Sequence, residues 1–133
     1  MKYLTVAEVF LIHEYELQRY GGFPGLRSIE LLESAVFRSQ TSYGGKELYE
    51  TLFEKTASLI HSLISNHPFL DGNKRTATVS GVVFLLLNGY SLELAQERFV
   101  KVGLDGANKK LLPKDLAVFI EESSVGAHDP IYT

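Results

Sequence analysis

His67-Pro68-Phe69-Leu70-Asp71-Gly72-Asn73-Lys74-Arg75 lies between the two most strongly helical stretches of this 133-residue chain, and its reading decides the fold. Pro68 stops the helix before it, because proline disfavours helical backbone in the residue it follows. That helix is expected from about Glu47 to Asn66, with Leu52, Phe53, Ala57, Ile60, Leu63 and Ile64 as a broad apolar face. The helix after the loop starts near Asn73 and ends at Asn88-Gly89. Its middle, Val79 through Leu87, is apolar on nearly all sides and marks the central element of the core.

Working outward, Thr5-Val6-Ala7-Glu8 reads as a capping box that opens a first helix, with Val6, Val9, Phe10, Ile12 and Leu17 near helical spacing. Tyr20-Gly21-Gly22-Phe23-Pro24-Gly25 breaks it. A second helix is expected from Ser28 to Phe37, with Leu31, Leu32, Ala35 and Val36 inward. Arg38 to Lys46 is polar and contains Gly44-Gly45, so it reads as an exposed loop or short hairpin. Glu93 to Leu104 reads as a shorter amphipathic segment, and Gly103 to Asn108 as a loop. Pro113 to Glu122 reads as a last helix, with proline in the first turn, where its missing N–H costs little. The expectation is therefore a single all-α domain over residues 1–122, of about six helices with a short flap before the third. A loosely held tail, 123–133, follows.

Composition narrows the function classes. Hydrophobic residues make up 45% of the chain, enough for a packed interior, and the net charge is -3. An acidic balance argues against a protein whose main task is binding nucleic acid directly. There is no cysteine, which excludes thiolate chemistry and cysteine-ligated zinc and fits a reducing, cytoplasmic setting. The first residues do not read as a signal peptide, and the longest apolar run is too short to span a membrane.

Chemistry concentrates in the loop. A helix start offers unpaired N–H groups and partial positive charge to an anion. Gly72 permits close backbone approach and unusual φ values. Lys74 and Arg75 add full charge at the same mouth. Asp71 is odd for a plain anion site and sensible as a Mg2+ ligand, since that ion takes oxygen ligands and bridges phosphates; it can also cap the helix. His67 can take a proton near neutral pH. The GxxxxGK[ST] spacing of a Walker A loop is missing. His61 and His67 are six apart, off the i, i+4 spacing of a helical zinc pair, and His61 reads as a core-edge residue. His13 and His128 read as structural or surface residues, and Tyr43 and Tyr49 as packing or flap residues.

These nine residues match every fixed position of HxFx[DE]GN[GK]R and so resemble the signature of the Fic/Doc family. With lysine at 74 they resemble its death-on-curing (Doc) branch, the toxin half of a toxin–antitoxin pair. Gly25 to Ala35, Gly44 to Tyr49 and Asn88-Gly89-Tyr90 are similar to further family segments, so the likeness covers most of the chain.

The resemblance implies a role for each position. His67 is the general base for a target hydroxyl, and Asp71 holds Mg2+. Gly72 and Asn73 form the anion hole, and Arg75 contacts nucleotide phosphates. Most Fic proteins have glycine at the position of Lys74 and transfer AMP from ATP. In the Doc branch the lysine goes with a flipped nucleotide and transfer of the terminal phosphoryl group to a threonine of elongation factor Tu, which halts translation. Thr78 stands where AMP-transferring motifs carry a second arginine, which also favours the phosphoryl reading. AMP transfer, and a degenerate module that binds without turnover, are the alternatives. Gln40, Thr41, Ser42 and Tyr43 fall where the family places a flap that docks the target as an added strand. No inhibitory [ST]xxxE[GN] helix is found, which implies inhibition in trans by an antitoxin.

Overall fold

In a computed structural model the described residues are 1–92, 101 and 112–126. Among them are five α-helices: α1 (Val6–Tyr20), α2 (Ile29–Phe37), α3 (Leu52–Asn66), α4 (Asn73–Leu87) and α5 (Pro113–Ser123). Strands are two residues long. β1 (Ser42–Tyr43) pairs antiparallel with β2 (Lys46–Glu47), and β3 (Ser91–Leu92) with β4 (Ser124–Val125). The all-α expectation holds. The amphipathic segment expected over Glu93–Leu104, the loop to Asn108 and His128 fall outside the described residues, Lys101 excepted.

The caps explain where the helices begin. Thr5 Oγ1 accepts from the Glu8 N–H at 3.1 Å, and the Glu8 carboxylate accepts from the Thr5 N–H at 2.8 Å, closing the expected capping box. Ser28 caps α2 from just outside it. The start of α3 differs from expectation. Glu47 pairs in the hairpin, and the helix begins at Leu52, where Thr51 Oγ1 accepts from the Glu54 N–H at 3.1 Å. Thr51-Leu52-Phe53-Glu54 is the true start signal, since a threonine followed three residues later by glutamate satisfies the first N–H groups. Pro113 occupies the first turn of α5. Ser123 closes α5, and Ser124–Val125 pairs with β3.

The core gathers around α3 and α4. α3 packs on α2, α4 and α5, and α1 packs on α4. A Cβ added at Gly81 would lie 2.5 Å from Ile60 Cδ1, so the missing side chain lets α3 and α4 approach closely. The buried part of α4 runs from Asn73 to Leu85, earlier than the apolar run suggests, and includes Thr76, Thr78 and Ser80. No helix among the described residues is long and apolar enough to cross a membrane.

Candidate active site

The turn between α3 and α4 is locked by the backbone before any catalytic side chain is considered. His67, the C-cap of α3, has φ 52 and ψ 54, the left-handed region, and among the described residues no other non-glycine has positive φ. A non-glycine residue there costs on the order of 1–2 kcal/mol, so surrounding bonds must hold it. Arg27 provides two: its Nε donates to the His67 carbonyl at 2.6 Å and its guanidinium donates to the Asn66 carbonyl at 2.7 Å. The backbone N–H groups of Arg27 and Ser28 both donate to the Pro68 carbonyl, and the Leu70 N–H donates to the Gly25 carbonyl. The segment after the Gly-rich break thus forms one wall of the loop, joined to it through the Leu26–Phe69 bridge.

Asn73 locks the turn from inside. Its buried carboxamide accepts from the Phe69 N–H and donates to the Phe69 carbonyl, both at 2.9 Å. The amide side chain therefore shapes the turn. Phe69 is buried, and the His13 ring stacks on it at 3.7 Å between centroids with the planes 6° apart. His13 Nε2 lies 2.8 Å from the Asp71 carbonyl, and since a carbonyl only accepts, that nitrogen carries the proton.

All six loop residues singled out from the sequence come together. His67, Asp71, Gly72, Asn73, Lys74 and Arg75 line one cleft of about 340 Å3, with Leu70. Gly72 (φ 79) caps α4 with no side-chain hydrogen bond, so the positive end of the helix faces the cleft. His67, which also lines the cleft, is exposed. Asp71 is held by two backbone donors, Phe23 N–H to Oδ2 at 3.0 Å and Gly72 N–H to Oδ1 at 2.9 Å. Gly22 makes the first contact possible: a Cβ there would sit 2.8 Å from Asp71 Oδ2. Each carboxylate oxygen keeps a lone pair beside its single N–H. Among the described residues no three His, Asp or Glu side chains cluster as a metal cage. One carboxylate fits Mg2+, an ion that takes its remaining ligands from phosphates and water. Thr78 is buried and its hydroxyl donates to the Lys74 carbonyl at 2.9 Å, adding no charge to the cleft.

The four flap residues lie elsewhere, outside the cleft lining. Gln40 ends a 3-10 turn, and the Thr41 hydroxyl donates to the Arg38 carbonyl at 2.7 Å. Ser42 and Tyr43 form β1, with Tyr43 86% exposed. Beneath them Lys55, 1% exposed, donates to Glu47 Oε1 at 3.2 Å and to the Ser39 carbonyl at 3.5 Å. Tyr49 is part of the hairpin's base, its hydroxyl accepting from Arg38 Nε at 3.0 Å. His61, partly buried on α3, has its pKa lowered by burial first and by the Arg38 charge second.

Sequence reasoning missed the contribution of α1. Its buried line is Val9, His13 and Glu16, whereas Phe10 from the expected apolar set is exposed. Glu16 stands 3.9 Å from the Arg75 guanidinium, which lies over the Tyr20 ring at 3.9 Å. The signal was present: a histidine and a glutamate at core-facing helical spacing, where apolar residues belong.

The all-helical domain thus brings a helix start, a histidine, a carboxylate and two cationic side chains into one cleft. The sequence profile of the Fic/DOC family matches residues 3–85, and the chain belongs to that family. It is 32% identical over 113 residues to Toxin Doc of Mycolicibacterium smegmatis, covering 80% of this chain and 87% of that one. It is 34% identical over 89 residues to Protein kinase doc of Escherichia phage P1, covering 67% and 70% respectively.

Proposed function

We propose that this chain is a Doc-like toxin that transfers the terminal phosphoryl group of ATP to a protein hydroxyl, with a threonine of elongation factor Tu as acceptor, and so halts translation. The observation that carries the reading is the one cleft that His67, Asp71, Gly72, Asn73, Lys74 and Arg75 line together at the N-terminus of α4. The relative from phage P1, named a protein kinase, supports phosphoryl transfer.

In this reading the backbone at Gly72 and Asn73, with Lys74 and Arg75, binds the phosphate chain, since phosphoryl transfer needs positioning and charge stabilisation above all. The acceptor oxygen bonds to the terminal phosphorus, the bond from phosphorus to the bridging oxygen breaks, ADP leaves, and the hydroxyl proton passes to His67. Asp71 would hold Mg2+, which when bound neutralises charge on the phosphates. The β1–β2 hairpin docks the target, because a two-stranded ribbon keeps an unpaired outer edge for an added strand. An antitoxin restrains the toxin in trans, and exposed apolar residues such as Leu11, Phe23 and Leu70 supply surface for it.

Mass spectrometry of elongation factor Tu after incubation with the protein, ATP and Mg2+ tests the reading. One added phosphate on a threonine supports it; one added AMP, or an unmodified factor, rejects it.

A further inference from the structure

Glu16 is a buried carboxylate, 4% exposed, and neither oxygen accepts a hydrogen bond from any described residue. Burying such a group is costly unless nearby charge compensates it. It stands on the inward line of α1, where an apolar residue would pack at no such cost. Two guanidiniums approach it: Arg75 at 3.9 Å and Arg19 at 3.8 Å. Both distances exceed hydrogen-bond length, so the attraction is Coulombic and leaves the N–H groups of Arg75 uncommitted to Glu16. Tyr20, one helical turn further along α1, provides the second constraint. Its ring lies under the Arg75 guanidinium at 3.9 Å and near that of Arg19 at 5.0 Å. Attraction to the face of a ring holds a guanidinium in place without occupying its N–H groups.

We propose that Glu16, with Tyr20, is a positioning residue for Arg75: the carboxylate draws the guanidinium to the cleft and the ring holds it there, so that it meets phosphate already in place. This rests on the reading of Arg75 as a phosphate contact. Glu16 touches no substrate and acts through Arg75. Loss of its charge loosens orientation while making the cleft more positive. The effect therefore falls on kcat, and the KM for ATP stays level or drops.

The test uses the full chain with Glu16→Gln, Arg75→Ala and both changes. Transfer from ATP to elongation factor Tu is measured alongside NMR of the arginine Nε–H groups. Glu16→Gln should lower kcat about tenfold with no rise in the KM for ATP, and the Arg75 Nε–H should lose order. In the Arg75→Ala background Glu16→Gln should have no further effect, since two residues acting through one contact are coupled. Tyr20→Leu, a change at a residue 47% exposed, keeps the fold and should give the same split. Full kcat with an unchanged Arg75 resonance overturns the proposal, as does equal loss in both backgrounds. A rise in kcat, the result of a carboxylate that withholds Arg75 from phosphate, overturns it too. If Arg75→Ala transfers at full rate, the phosphate-contact reading fails, and the NMR result alone decides whether Glu16 orders Arg75.

Discussion

The 67–75 turn and the 42–47 hairpin are both short connections beside α3, and they are built in opposite ways. The turn is bonded on every side: Asn73 to Phe69, His13 to Asp71, Arg27 to His67, and the 22–28 segment along its outer edge. The hairpin has two residues per strand, all four exposed, and its charged tie to α3 is the buried Lys55. The difference fits the two tasks proposed for them. Groups that move a proton and hold phosphate must already be in place. An edge that receives another chain gains from remaining open and adaptable.

The largest effects are expected at the turn. His67→Ala should reduce transfer to the target by about 100-fold or more while leaving the melting temperature unchanged, because the side chain is exposed and its backbone is held by Arg27. Paired kinetic and thermal measurements check this. Asn73→Ala should damage both properties. It strands a buried N–H and a buried carbonyl on Phe69, at about 1–3 kcal/mol each, and should lower the denaturation midpoint along with activity. An Asn73→Ala protein with unchanged stability would remove the case for a built turn.

Changes at the hairpin should leave the chemistry intact. Ser42→Pro removes an N–H and alters the strand edge. The KM for the protein target should rise about tenfold, with the KM for ATP and the melting temperature nearly unaffected. An equal rise in both KM values would erase the division of labour. Lys55→Met should accelerate amide hydrogen exchange across 42–47 and leave exchange at 69–76 unaltered, because the charged tie to Glu47 is lost only on the hairpin side.

The smallest effect concerns His61, on α3 between the two regions. Its folded pKa lies below the ordinary value of 6.5. Above 6.5 the ring is neutral in both folded and unfolded chains, and its contribution to stability is complete. As pH falls below 6.5 the unfolded chain takes up the proton more readily, and that contribution is lost. Thermal melts from pH 7.5 to 5.5 should therefore fall more steeply for the unmodified protein than for His61→Gln; parallel slopes would contradict this.

Local signals in the sequence carried most of the fold. The Thr5 box, Ser28, Pro68 and Pro113 each act within one helical turn, and each stands at a helix end as read. Thr51-Leu52-Phe53-Glu54 is just as local, but the polar run before it hid where the hairpin gives way to α3. The cleft-lining residues were legible because they are contiguous. Their supports were not, because His13, Glu16, Gly22 and Arg27 reach the turn only through tertiary packing. Gly22 is the clearest case. In sequence it is one of a helix-breaking pair; in the fold it is the gap into which Asp71 fits.

Transfer of the terminal phosphoryl group by this turn is the reaction to be measured. The direct measurement is incubation of the purified protein and elongation factor Tu with ATP labelled either at the γ- or at the α-phosphate, with His67→Ala as control. Label is expected on the factor from γ-labelled ATP alone, and none with His67→Ala. Label from α-labelled ATP, or label that survives loss of His67, would contradict it.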